Sequence, residues 1–137
     1  MKTDISSTLA QVIEDCARDS YAGTRNFAEI VGALAEVGVE SYYADFRAGT
    51  TTYYLPSGAA PQVPLNVAPD PIADRFDATA IQAAVRGAQR GEVKYPQFLQ
   101  LSHRAGCVGY MVWIRGRHVS YFGRRGETHI ERFPDAN

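Results

Sequence analysis

The sequence lacks long apolar runs, has few cysteines and carries little net charge, and each absence argues against a class of protein. No apolar stretch approaches the ~18 residues that cross a bilayer, so we expect no membrane association. Two cysteines are too few for a disulfide scaffold. The start, Met1-Lys2-Thr3-Asp4, lacks the basic-then-apolar pattern of a signal peptide. These features predict a cytoplasmic protein with free thiols.

The composition is that of a globular protein. Apolar residues make up 45% of the 137 residues and charged residues 21%, so we expect residues 1–137 to form a single domain. The net charge of −1 combines −6 over residues 1–77 with +5 over residues 78–137. Oppositely charged halves can attract each other, a second copy or a charged partner, or they can mix on the folded surface.

An internal repeat organises the sequence. Residues 23–58 align without a gap on residues 91–126, a shift of 68, with six identities: Gly23/Gly91, Gly38/Gly106, Tyr42/Tyr110, Arg47/Arg115, Tyr53/Tyr121 and Gly58/Gly126. Upstream of Gly23, the apolar stripes of the first helices align at a shift of about 71. The sequence therefore predicts two repeats, about 5–58 and 77–133, joined by a proline-rich connector over 56–76.

Each repeat is predicted to contain two helices and a β-hairpin. Asp77 is a predicted helix cap, and Gly38 and Gly106 are predicted to end helices. Strands are predicted over 39–47 and 50–55, over 107–115 and 118–122, and at the carboxy-terminal edge over 127–133, with two-residue hairpin loops. The expected fold class is α+β, with two pseudo-symmetric helix–helix–β-hairpin repeats and an antiparallel sheet packed on helices through the face of Tyr42 and Tyr110.

The opposite sheet face is the candidate binding surface. Alternation along the strands predicts that it carries Tyr43, Arg47, Tyr54, Met111, Trp113, Arg115, His118 and Phe122. Aromatic, methionine and arginine side chains are enriched in interfaces. This face is therefore predicted to bind a second copy in a homodimer, a small molecule or another protein, unless further elements cover it.

The carboxy-terminal half resembles a known family. Gly106-Cys107-Val108-Gly109-Tyr110, Tyr121-Phe122-Gly123-Arg124 and His129-Ile130-Glu131 resemble segments of the YbcV-like family of small bacterial proteins, some of them prophage-associated. Tyr42, Asp45, Tyr53 and Tyr54 extend the resemblance upstream. It implies a single small domain of unknown function and transfers no activity, cofactor or catalytic residue.

An enzymatic function is the alternative hypothesis to a binding module. Cys107 could act as a nucleophile with His103 or His118 as base and Glu131 as the orienting acid, although a buried structural cysteine explains the residue equally simply. Glu127, His129 and Glu131 share one predicted strand face and could hold a divalent cation, or they could be solvated edge charges. We expect no cofactor, because phosphate-loop, paired CxxC and nucleophile-elbow motifs are missing.

Single-stranded nucleic-acid binding is a second alternative. Arginines interleave with aromatic residues in the carboxy-terminal half, a combination that holds phosphates and stacks on bases. The isoelectric point of about 6.3 argues against it.

Overall fold

A computed structural model describes residues 5–134, with side chains from Thr8 onward, as four helices and one six-stranded sheet. The helices are α1 (Ile5–Ala22), α2 (Phe27–Glu36), α3 (Ala78–Gln89) and α4 (Tyr95–Arg104), and the strands are β1 (Ser41–Asp45), β2 (Thr50–Tyr54), β3 (Gln62–Pro64), β4 (Cys107–Trp113), β5 (His118–Gly123) and β6 (Thr128–Arg132). Every strand pairing is antiparallel, and the spatial order is β3-β2-β1-β4-β5-β6. The predicted α+β class is confirmed. Over residues 5–134, no helix is both long and apolar enough to cross a membrane.

Local signals explain where the helices begin and end. Asn26 and Glu29 form a reciprocal capping box at the start of α2, and the Asp77 carboxylate accepts a hydrogen bond from the Ala80 N–H at the start of α3. Gly38 and Gly106 follow α2 and α4 with φ of +91° and +79°, a conformation that only glycine adopts without strain. The cap and the two helix ends lie where the sequence predicts them.

The core lies between the helices and one face of the sheet. That face carries Tyr42, Ala44, Val112, Val119 and Tyr121, all buried, and the helices contribute Ile13, Leu34, Ile81 and Leu99. Each buried aliphatic or aromatic side chain stabilises the fold by roughly 1.5–3 kcal/mol. The antiparallel sheet packs on the helices through the predicted face.

The two halves of the sheet have the same register at a shift of 68 residues. Tyr42 pairs with Tyr53 as Tyr110 pairs with Tyr121, and the central β1–β4 pairing is symmetric about the Tyr43–Met111 pair. All eight described residues with positive φ fall into four pairs at this spacing: Gly23/Gly91, Gly38/Gly106, Gly49/Arg117 and Gly58/Gly126.

The ends of the first helices match at this shift too. The Gly23 N–H donates to Ser20 O as the Gly91 N–H donates to Ala88 O, which aligns Ile13 with Ile81. The shift there is thus 68 and not the value of about 71 indicated by the apolar stripes.

Two details of the sheet differ from the sequence prediction. The hairpin loops contain four residues, 46–49 and 114–117, because the last paired residues are Asp45 with Thr50 and Trp113 with His118. The predicted connector contains β3, a three-residue strand that pairs with β2. The carboxy-terminal edge strand, β6, is present as predicted.

The second part of the connector is fixed against the end of α4. The Ala73 and Asp77 N–H groups donate to the carbonyls of His103 and Ala105, both at 2.8 Å. His103 Nδ1 lies 2.8 Å from the Asp70 carbonyl oxygen. This backbone docking brings Arg75 and Phe76 directly over Gly106.

Candidate functional site

The sheet face opposite the helices, hereafter the outer face, exposes large apolar groups. Trp113 is 39% exposed and Ile130 55% exposed, Tyr54 is also exposed, and Tyr43, Met111 and Phe122 are half-buried. No described element buries Trp113, Tyr54 or Ile130, so this face is not a second core layer. Exposed apolar patches on antiparallel sheets mark interaction surfaces when they are contiguous.

Two aromatic rings of the outer face, those of Tyr43 and Phe122, lie close together because Gly109 leaves space between them. Tyr43 pairs with Met111 across β1 and β4, and its ring centroid lies 6.3 Å from that of Phe122 on β5. Between them, a Cβ atom on Gly109 would lie 2.6 Å from the Tyr43 hydroxyl. The absence of a side chain at Gly109 therefore lets the tyrosine lie across β4.

Trp113 and His118 form the neighbouring part of the outer face. They are cross-strand partners with ring centroids 6.2 Å apart, and the Trp113 indole N–H donates to Ser120 Oγ at 3.2 Å. This hydrogen bond fixes the indole while leaving one side of the ring in solvent.

The two predicted arginines lie in the hairpin loops, beyond the strand ends. Arg47 follows β1 and Arg115 follows β4, so in the antiparallel pair they mark opposite ends of the outer face. Arg115 Nη1 lies 3.2 Å from Glu40 Oε1, and the Asp45 carboxylate accepts from the Arg47 and Ala48 N–H groups. Charges of both signs therefore border the apolar row.

Cys107 lies in the core and not on the outer face. Strict alternation along β4 would place Cys107 on the same face as Met111 and Trp113, but a β-bulge between Cys107 and Gly109 interrupts it, and the cysteine belongs to the buried cluster. Burial raises the pKa of its thiol to about 11, and Sγ donates to the Gly109 carbonyl. The three imidazoles bond to Asp70, Gly116 and Glu131 and not to this thiol, so among the described residues Cys107 has no base within hydrogen-bond reach.

The predicted metal ligands are engaged with separate partners. The Glu131 side chain is 8% exposed and lies 2.6 Å from Arg86 Nη1 and 2.6 Å from His129 Nε2, whereas Glu127 accepts from the Arg125 N–H. In the part of the chain that the structure describes, no three His, Cys, Asp or Glu side chains are placed to hold a metal ion. The alternative of solvated edge charges is also wrong for Glu131, which is buried beneath α3.

A second concave feature lies on the helix side of the sheet. A cleft of about 410 Å³ separates α1 and α2 from β1, β2 and β3. We call it the tyrosine cleft and define it by Cys16, Ile30, Tyr42, Tyr53, Val63 and Tyr95. The rings of Tyr42 and Tyr53 stack with centroids 5.3 Å apart, and the Tyr95 and Tyr110 hydroxyl oxygens are 2.8 Å apart.

Comparison with known proteins places the chain in a family. The model of a family described as "Protein of unknown function (DUF1398)" matches residues 15–131. The chain belongs to the DUF1398 family. The match includes β1 to β5 of this DUF1398 protein, β6 as far as Glu131, and all six residues that define the tyrosine cleft.

Mycobacterial relatives are similar over a shorter segment. "Uncharacterized protein Rv2012" of Mycobacterium tuberculosis and "Uncharacterized protein Mb2035" of Mycobacterium bovis are each 34% identical over 58 residues. That segment spans 42% of the DUF1398 chain and only 35% of each relative. The relatives therefore extend well beyond the region of similarity, and their descriptions name no activity.

The tyrosine cleft was not predicted from the sequence, because alternation along the strands indicates ordinary core positions for its tyrosines. A signal does exist in the shift of 68: the position of Ile30 in the first half corresponds to Phe98 in the second. Phe98 packs against Tyr110 and Tyr121, with centroids 6.5 Å and 6.1 Å away. The smaller residue in the first half leaves space that the phenylalanine occupies in the second.

Proposed function

We propose that this DUF1398 chain is a non-enzymatic interaction module that binds a second copy of itself through the outer face. One observation carries the proposal: within residues 5–134, helices cover only one side of the sheet, and its other side presents Trp113, Tyr54 and Ile130 to solvent. Solvent-facing sheet surfaces are normally polar, so a row of exposed aromatic groups favours a contact surface.

A second copy is the partner that best fits the geometry. We propose that the two halves form a pseudo-twofold repeat, which the common shift of 68 in strand register supports. That arrangement places Tyr43 beside Met111 at the centre and the arginine-bearing loops at opposite ends. In a twofold homodimer the same patch contacts itself, so a patch with an apolar centre and charges of both signs at its ends is suited to self-association.

The size of the outer face sets the expected strength of the dimer. Six strands about 4.8 Å apart and about five residues long give roughly 500 Å² per copy and about 1,000 Å² in total. This area is near the lower limit for a specific interface. We therefore expect a dimer that dissociates on dilution.

The test is molar mass by light scattering on a sizing column across a range of protein concentrations. The wild type is expected to rise from 15.0 kDa toward twice that mass with concentration. Trp113→Lys places a charge on the apolar part of the proposed interface in place of an exposed indole, and should weaken association tenfold or more. Ala83→Lys, which adds the same charge at an exposed position of α3, is the matched control and should dimerise like the wild type.

The proposal fails if the wild type remains a monomer at the highest concentration, or if Trp113→Lys associates as the wild type does. Circular dichroism of each variant checks that the lysine has not unfolded the chain. The two predicted arginines give a further comparison, because Arg47→Ala and Arg115→Ala should change the salt dependence of association more than its strength in high salt.

The remaining assignments rest on the sequence. We propose that residues 1–137 form one cooperative domain, which the continuous sheet through both halves and the family match over residues 15–131 support. Coincident urea transitions followed by fluorescence and circular dichroism would test this. The YbcV-like resemblance and the cytoplasmic location stay predictions.

A further inference from the structure

The tyrosine cleft has the size of a small-molecule site. Its volume of about 410 Å³ lies in the lower part of the range of roughly 300–1,000 Å³ that ligand sites occupy. The second half of α1 and the buried side of α2 form one wall, and β1, β2 and β3 form the other. Tyr95, at the start of α4, lies at one end. A cleft of this size suits a ligand of one or two fused rings.

Two hydroxyl groups in the cleft lack partners. Tyr42 is 6% exposed and Tyr53 is 5% exposed, and both line the cleft. Among the described residues, neither hydroxyl makes a hydrogen bond to protein, whereas the Tyr95 and Tyr110 hydroxyls bond to each other. Among the described residues, the fully buried polar side-chain atoms without a partner are Ser102 Oγ and His103 Nε2, and they include neither phenol oxygen. The Tyr42 and Tyr53 hydroxyl oxygens are therefore open to the cleft, where they can hydrogen-bond a molecule that enters it.

The phenols are suited to donate hydrogen bonds. Burial raises the pKa of Tyr42 well above its ordinary value of 10.0, and burial likewise raises the pKa of Tyr53. Both groups therefore stay protonated at neutral pH and offer O–H donors in an apolar setting. A carbonyl or ether oxygen of a ligand is the natural acceptor.

Charges at the mouth of the cleft do not favour an anion. Arg18 lines the cleft, but its guanidinium lies 3.1 Å from the Asp15 carboxylate and 3.6 Å from that of Asp19. Arg25, nearby, lies 2.7 Å from Asp19. Because these cations are already paired with carboxylates, they would add little to the affinity of an anionic ligand. The affinity of an uncharged ligand would not depend on them.

The helix and strand walls of the cleft come from the first half of the chain, and Tyr95 and Tyr110 of the second half complete the lining. At a shift of 68, the positions of Ile30, Ala17 and Thr51 in the cleft wall correspond to Phe98, Val85 and Val119, which are larger or more apolar and are buried. Val63 corresponds to Glu131, whose ion pair with Arg86 joins α3 to the edge strand. In the second half, these side chains fill the space between the helices and the sheet. In the first half, the equivalent space stays open as the tyrosine cleft.

We propose that the tyrosine cleft binds a small, uncharged, mainly apolar molecule that carries a hydrogen-bond acceptor received by the hydroxyls of Tyr42 and Tyr53. This site is separate from the outer face, on the opposite side of the sheet. Its occupancy does not depend on whether the chain dimerises.

Three matched probes test the proposal by equilibrium dialysis: 2-acetylnaphthalene, which has an acceptor, 2-ethylnaphthalene, which has none, and 2-naphthoate, which is anionic. The ketone should bind about fivefold more tightly than the hydrocarbon, the effect of one neutral hydrogen bond, and more tightly than the carboxylate. The double variant Tyr42→Phe/Tyr53→Phe should bind both uncharged probes equally. Ile30→Phe, which copies the residue of the second half, should bind neither.

Controls separate this site from the outer face and from misfolding. Trp113→Lys should bind the ketone as the wild type does, whatever its oligomeric state. Bound ketone should slow alkylation of Cys16, which lines the cleft, and leave that of Cys107 unchanged. The proposal is overturned if the ketone and the hydrocarbon bind the wild type equally, if the double variant keeps the preference, or if none of the probes binds up to its solubility limit.

Discussion

Gly38 and Gly106 end the second helix of each half with the same left-handed backbone but have different surroundings. A Cβ atom on Gly38 would meet only Leu55 Cδ2, at 3.8 Å, which is an ordinary contact. A Cβ atom on Gly106 would overlap the backbone oxygen of Arg75 and lie 2.6 Å from its carbonyl carbon. Substituting alanine at each position therefore separates the effect of backbone conformation from the effect of a clash with the connector.

The expected magnitudes follow from these surroundings. An alanine at positive φ costs about 1–2 kcal/mol, partly offset by about 0.4–1 kcal/mol because alanine restricts the unfolded chain. Gly38→Ala should therefore destabilise the protein by about 1 kcal/mol. Gly106→Ala must also displace the connector, which strains the packing and weakens the hydrogen bonds from Ala73 and Asp77 to the end of α4. These effects add about 2–4 kcal/mol.

Urea unfolding followed by far-ultraviolet circular dichroism measures both variants against the wild type. Gly106→Ala should lose at least about 2 kcal/mol more stability than Gly38→Ala, with an unchanged dependence on urea concentration if the transition stays two-state. Equal losses of stability in the two variants would refute the reasoning, since they would mean that displacing the connector costs no free energy.

Two further predictions concern the buried thiol and the buried carboxylate. Because burial raises the pKa of Cys107 from 9.0 to about 11, the unfolded chain releases this proton first, so stability should fall as the pH rises from 9 toward 11. In urea titrations, the free energy of unfolding of Cys107→Ala should fall between pH 8 and pH 10 by about 1.4 kcal/mol less than that of the wild type. Equal decreases in the two proteins would contradict this. Glu131→Gln should destabilise the protein by about 1–3 kcal/mol, because Arg86 and His129 share its carboxylate. Glu92→Gln, in the exposed pair with Arg90, is its control and should show no measurable change in the urea midpoint; equal shifts in both would count against a structural role for Glu131.

Much of the fold could be predicted because its signals are local. The helix ends after Gly38 and Gly106 and the cap at Asp77 depend on single residues whose conformational preferences are strong. The alternation in β1, β2, β4 and β5 also separates buried from exposed positions correctly for Tyr42 and Trp113. These features need no knowledge of distant contacts.

The features that the sequence did not reveal depend on contacts between distant segments. The three-residue strand β3 is too short to show alternation, and its partner β2 alone defines it. The bulge that places Cys107 in the core is a local register shift in the pairing of β4 with β5. Alternation along β4 alone does not predict such a shift. The tyrosine cleft depends on how the volume of Ile30 compares with the space between α2 and the sheet, and that space exists only after folding.

The outer edges of the sheet limit how the protein can assemble. At one edge β3 is only three residues long and ends at Pro64, with Pro61 just before it, and neither proline can donate a hydrogen bond to an added strand. At the other edge β6 carries His129, Glu131 and Arg132 and is followed by Pro134. Both edges therefore discourage the strand-by-strand growth that leads to fibrils. A protein with an exposed aromatic sheet surface can thus stay a discrete particle at high concentration, since stacking through one face ends after two copies, whereas edge pairing has no natural end.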